Sequence, residues 1–197
     1  MALEGRLATR SPPRYLLRMF EGWKDFFVVL GTAAAALIGV MALVATLTAG
    51  GDRTKAERGQ RLYLTPTVFH LAAVLTLSAI TLAPRQAPGV HLALLMALTF
   101  YGLIYSLVIA VQLARVGPES SPHWSDFWCY GVMPAAVYVA IGLALASSIG
   151  WRGEGCFAFA AGLLVLLLAA IRNAWDLVTW LAPRREALKR PADKPID

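Results

Sequence analysis

The chain has 197 residues, of which 58% are hydrophobic and 15% charged, against about a quarter charged in soluble domains, and its mean hydropathy is +0.60. That balance excludes an ordinary soluble globule and a disordered chain. The 18 Lys and Arg outnumber the 12 Asp and Glu, giving a net charge of +6; they cluster at 6–24, 53–61 and 184–194, beside apolar runs, which points to anionic lipid headgroups and away from nucleic acid.

The first 24 residues form a basic segment. Within it, 13–24 places Tyr15, Leu16, Met19, Phe20 and Trp23 on one helical face and Arg14, Arg18, Glu21 and Lys24 opposite. This pattern predicts a short interfacial amphipathic helix opening after Pro12 and Pro13, with a plain basic flank as the alternative. The segment lacks the short apolar core and small-residue cleavage site of a signal peptide.

Five apolar runs follow, at 26–49, 63–83, 91–114, 128–149 and 156–181. Each meets the length of about 20 residues that a helix needs to cross a bilayer. The connections are short and rich in turn residues: GGDRTKAERGQR, APRQAPG, RVGPESSPHWSD and GWRGEG. Pro66 falls in the first turn of the second run, where a missing N–H costs little, and Ser125 or Asp126 can cap the fourth. A basic polar tail closes the chain at 182–197. The expected fold is a single all-α membrane domain over 1–197, a bundle of five transmembrane helices with the short interfacial helix in front.

All six tryptophans, Trp23, Trp124, Trp128, Trp151, Trp175 and Trp180, fall at or near run ends, as an aromatic belt requires. Five spans put the two termini on opposite sides. The N-terminal side carries Arg6, Arg10, Arg14, Arg18, Lys24, Arg85 and Arg152. The C-terminal side carries Arg53, Lys55, Arg58, Arg61, Arg115, Arg184, Arg185, Lys189, Arg190 and Lys194. This bias of ten to seven predicts an outer N-terminus and an inner C-terminus.

Small residues recur at every fourth position: Gly31, Ala35 and Gly39 in the first run, Gly102, Ser106, Ala110 and Ala114 in the third, Ala136, Ala140 and Ala144 in the fourth. Such faces let backbones approach closely. Internal packing of one bundle is the expected use, with oligomerisation the alternative.

Ionisable groups inside a membrane are functional candidates. In the fifth run Arg172, Asp176 and Thr179 share an arc with Asn173 beside them, and Arg172 and Asp176 stand at i, i+4, the spacing of a helical ion pair. His70 and Gln112 fall at a similar depth, Gln112 on a stripe with Tyr101 and Tyr105. These residues predict either an inward-facing polar vestibule or an ordinary inner interface with snorkelling side chains and one salt bridge. The second reading is preferred, because none of these groups has to sit at the bilayer centre. His91 opens the third run and is read as interfacial.

His123, Asp126 and Cys129 are metal-competent donors, but their spacing matches no ligand pattern, so a cap, an interfacial histidine and a small apolar cysteine explain them and no metal or cofactor is expected. The spacings bring no nucleophile and base together, and no HExxH, GxSxG or phosphate-cradling loop occurs, so enzyme chemistry is not expected. Cys129 and Cys156 open helices at opposite faces and should stay unpaired.

The run Ile171-Arg172-Asn173-Ala174-Trp175-Asp176-Leu177-Val178-Thr179-Trp180 resembles the ending of a group of bacterial multi-spanning membrane proteins of unassigned chemistry. Asp126-Phe127-Trp128-Cys129-Tyr130-Gly131 with Pro134 is also similar to that group. The resemblance covers about the last third of the chain. It implies a bacterial membrane protein of about this architecture and no particular activity; the expected location is a bacterial inner membrane. The expected function is non-enzymatic, through helix packing, lipid contact, a partner membrane protein or a homo-oligomer. The alternative is a solute or ion channel or transporter subunit using Arg172, Asn173, Asp176 and His70.

Overall fold

The computed structural model describes residues 20, 22–48, 64–84, 87–115, 127–147 and 154–189. Among them no strand occurs. The elements are α1 (Lys24–Thr48), α2 (Thr65–Leu82), α3 (Pro88–Arg115), α4 (Met133–Ser147, entered through a π-helical turn over Phe127–Val132) and α5 (Glu154–Lys189). Five stretches are long and apolar enough to cross a membrane: Lys24–Thr46, Thr65–Leu82, Gly89–Arg115, Phe127–Ser147 and Gly155–Thr179. The described residues thus form an all-helical bundle with five helices fit to span a membrane.

Proline sets several boundaries. Pro88 opens α3, three residues before the predicted start, because its fixed φ suits a first helical position. Pro84 forces the preceding residue out of the helical region, and Ala83 is accordingly extended at φ −63°, ψ 125° where α2 ends. Pro134 has no N–H, and its ring crowds the carbonyl four residues earlier; the chain answers with the wide π turn directly upstream. The sequence predicts one uninterrupted fourth helix there. The second departure is α5, which continues to Lys189 where a tail is predicted from 182. Pro183 removes one N–H in this stretch, but the Arg, Glu, Ala, Leu and Lys after it are strong helix formers, and extending an existing helix avoids the cost of nucleation.

Each helix packs on the next in sequence, and α5 closes the bundle against both α1 and α2. Phe27, Leu30, Leu71, Leu77, Leu95, Tyr138, Ile141, Leu145, Phe159, Leu163 and Leu166 fill the main core. The outer surface is just as apolar, with Val29, Phe100, Leu143 and Phe157 among the exposed side chains. Where lipid is the solvent, hydrophobicity does not separate inside from outside, and close fit has to hold the helices together. Glycine supplies that fit at the α3–α4 seam. A Cβ on Gly102 would overlap the Tyr138 ring, and one on Gly131 would lie 2.7 Å from the Ala110 Cα. Gly162 meets Ile141 in the same way between α5 and α4.

The small-residue stripes therefore split. Gly102, Ser106 and Ala110 are buried, as internal packing predicts. Gly31 is buried and faces Ser78 of α2, but Ala35 and Gly39 are exposed, and a Cβ on Gly39 would meet nothing within 4 Å among the described residues. The reason is geometric. A strict i, i+4 stripe drifts about 40° per step from the helical period, whereas the buried face of α1 follows Phe27, Leu30, Gly31, Ala34 and Met41. Ala136 and Ala140 of α4 are likewise exposed.

Most of the predicted interfacial helix lies outside the described residues. Phe20 is described, and it corrects the expectation of a lipid-facing position. It is buried at the end of the bundle, with ring centroids 5.8 Å from Phe27, 5.9 Å from His91 and 5.7 Å from Phe159. Phe20, Phe27 and Phe159, from the chain before α1, α1 and α5, thus cluster, and the Phe20 ring also meets the ring of His91, which is buried at the start of α3.

Candidate functional site

The polar turn of α5 is the most connected polar feature among the described residues. Arg172 and Asp176 stand one helical turn apart, and Nη2 to Oδ2 measures 3.2 Å. Both side chains are 45% exposed. Asn173, between them on the helix, points the other way and is 1% exposed. Its Nδ2 donates to the Cys129 carbonyl at 3.3 Å, and the Tyr130 hydroxyl donates to the Asn173 carbonyl at 3.1 Å. Arg172 Nη1 donates to Asn173 Oδ1 at 3.4 Å, joining the exposed ion pair to the buried amide.

The role of Asn173 follows from Pro134. In a π register the carbonyl of Cys129 looks to the N–H five residues on, and that residue is Pro134, which has none. A buried carbonyl without a donor is costly in an apolar medium. Asn173 of the neighbouring helix supplies the donor. Gly131, in the same turn, lets the α3 backbone approach. The sequence reading grouped Asn173 with the ion pair and missed this use. A proline early in a span, with a buried amide on another helix, is the signal that could have found it.

Thr179, expected on the same arc, donates to the Trp175 carbonyl at 3.1 Å and the Asp176 carbonyl at 3.0 Å, within its own helix. Thr32, Thr76, Thr81 and Ser106 make the same backward bond to the residue four earlier. Hydroxyls in apolar spans satisfy themselves locally in this way.

His70 belongs to a second centre. It is 2% exposed, and its Nδ1 lies 3.1 Å from the Tyr138 hydroxyl of α4. The rings of Phe69 and Tyr105 stack at 3.9 Å beside it, and Tyr138 rests on Gly102. His70 Nε2 has no hydrogen-bond partner among the described residues. Gln112 is exposed on α3 and joins neither centre. The candidate cluster of Arg172, Asn173, Asp176, His70 and Gln112 divides by its hydrogen bonds. Arg172, Asn173 and Asp176 come together. His70 turns inward, because the buried face of α2 runs through Thr67, His70, Leu71 and Val74, and Gln112 turns outward.

His123 and Asp126 lie outside the described residues, and among those described no group of three His, Cys, Asp or Glu could hold a metal. Cys129 takes part through its carbonyl; both cysteines are unpaired thiols. Cys156 precedes Asn173 by 17 residues, about 25 Å of helix, and Asn173 touches Cys129. The cysteines therefore sit at opposite ends of the bundle.

No family model, curated protein or solved structure matches the chain. Its functional reading rests on its own residues.

Proposed function

We propose that this is a non-enzymatic protein of a bacterial inner membrane that acts through its surface, by contact with lipid headgroups and partner helices, with its C-terminus inside the cell. The observation that supports this reading is the division between interior and surface. Gly102 against Tyr138, Gly131 against Ala110 and Gly162 against Ile141 fill the space between helices. The charged pair Arg172–Asp176, by contrast, stands half-exposed on the outside. The basic segments flanking the spans supply attraction to anionic headgroups.

One observation favours the second reading, a solute or ion pathway. His70 Nε2, Ser78 Oγ and Thr99 Oγ1 are buried without hydrogen-bond partners among the described residues, and buried polar atoms normally have partners. Reconstituted flux separates the two. The surface reading expects liposomes holding the protein to pass ions and small solutes no faster than empty ones, with specific neighbours recovered by crosslinking in native membranes. Flux that falls on His70→Phe would instead establish the pathway.

A further inference from the structure

The surface of α5 carries a cation and an anion side by side at headgroup depth. From Gly155, where the apolar span opens, Arg172 lies about 25 Å and Asp176 about 31 Å along the axis. The pair therefore straddles the far boundary of a hydrocarbon layer about 30 Å thick. Trp175 on α5 is 68% exposed and Trp128 on the π turn 47% exposed, and indoles at a membrane surface mark the headgroup level.

The pair is also held in place. Arg172 is tied to Asn173 Oδ1 and Asp176 Oδ2, and Asn173 is fixed to the α4 backbone. A guanidinium has five N–H donors and a carboxylate about four acceptor positions. The bonds within the protein use two of the first and one of the second.

We propose that Arg172 and Asp176 form a headgroup site for a zwitterionic phospholipid bearing a primary amine, with the phosphodiester on Arg172 and the ammonium on Asp176. The charges of headgroup and protein are complementary, cation to anion at both ends. An anionic headgroup gains from Arg172 and is repelled by Asp176. A choline headgroup carries the cation without an N–H, so it cannot donate to the carboxylate. This inference rests on the membrane-spanning reading of α5 and is independent of whether the protein is an enzyme.

The test is native mass spectrometry of the full chain, titrated with phosphatidylethanolamine, phosphatidylcholine and phosphatidylglycerol of identical acyl chains. The ethanolamine lipid should bind about three- to fivefold tighter than the choline lipid, the range a partly exposed ion pair supplies; the glycerol lipid, which the basic segments also attract, is compared through its change on substitution. Asp176→Asn should abolish the preference over choline and let the glycerol lipid bind at least as well. Arg172→Gln should weaken all three. Equal binding of the ethanolamine and choline lipids, or a preference that survives Asp176→Asn, would overturn the site. Circular dichroism checks folding; if Arg172→Gln does not fold, Asp176→Asn, at a half-exposed carboxylate, decides alone. Incorporation of the native chain into nanodiscs is scored separately. A chain that does not enter the bilayer contradicts the spanning reading, and one that enters without distinguishing headgroups contradicts only the site.

Discussion

Asn173 and Asp176 are three residues apart on α5 and should respond differently to alanine. Asn173→Ala removes the donor to the part-buried Cys129 carbonyl and opens a small void. A loss of about 1–3 kcal/mol is expected. Asp176→Ala breaks an ion pair half-exposed on both sides, and the loss should stay within about 1 kcal/mol. Unfolding in detergent, followed by circular dichroism, ranks the two; an Asp176 effect larger than the Asn173 effect would refute the assignment of the structural role. Gly102→Ala drives a methyl into the Tyr138 ring and should cost about 1–3 kcal/mol by overpacking. Tyr138→Phe tests the same centre differently, because it removes the hydroxyl facing His70 Nδ1 and keeps the ring against Gly102. The ion pair was legible in the sequence because helical spacing is local. The His70–Tyr138 contact was not, since it joins residues 68 apart and depends on which face of α2 turns inward.

At the scale of the element, the π turn and Asn173 act as one device. Pro134→Ala restores an N–H to the fourth helix, which can then serve its own carbonyls. In that background Asn173→Ala should cost less than in the native chain, and a double-mutant cycle measures the difference directly. Strictly additive losses would mean that Asn173 does not answer the missing N–H. Helix existence was easy to read, since each span is an apolar run bounded by turn residues. The inner structure of the helices was harder. The period of four that marks Gly31, Ala35 and Gly39 as one stripe differs from the period of 3.6 by which a helix turns, and the stripe leaves the buried face of α1 after its first member. The end of α5 lies beyond the end of its apolar run. Apolarity marks where lipid ends; helix formers carry the backbone on to Lys189.

At the scale of the molecule, an antiparallel succession of five spans keeps Cys129 and Cys156 at opposite faces. Oxidation should leave the monomer without an intramolecular disulfide, and mass spectrometry of peptides from the oxidised protein should find no Cys129–Cys156 link. Five spans would place the two ends of the chain on opposite sides of the membrane, and the ten-to-seven distribution of Lys and Arg predicts an inner C-terminus. Paired reporter fusions test this most directly. Reporters active only in the cytoplasm and only outside it are attached in turn to each terminus of the full chain. The five-span bundle predicts termini on opposite sides, and the Lys and Arg bias predicts that the cytoplasmic one is the C-terminus. Both termini on the same side would contradict it.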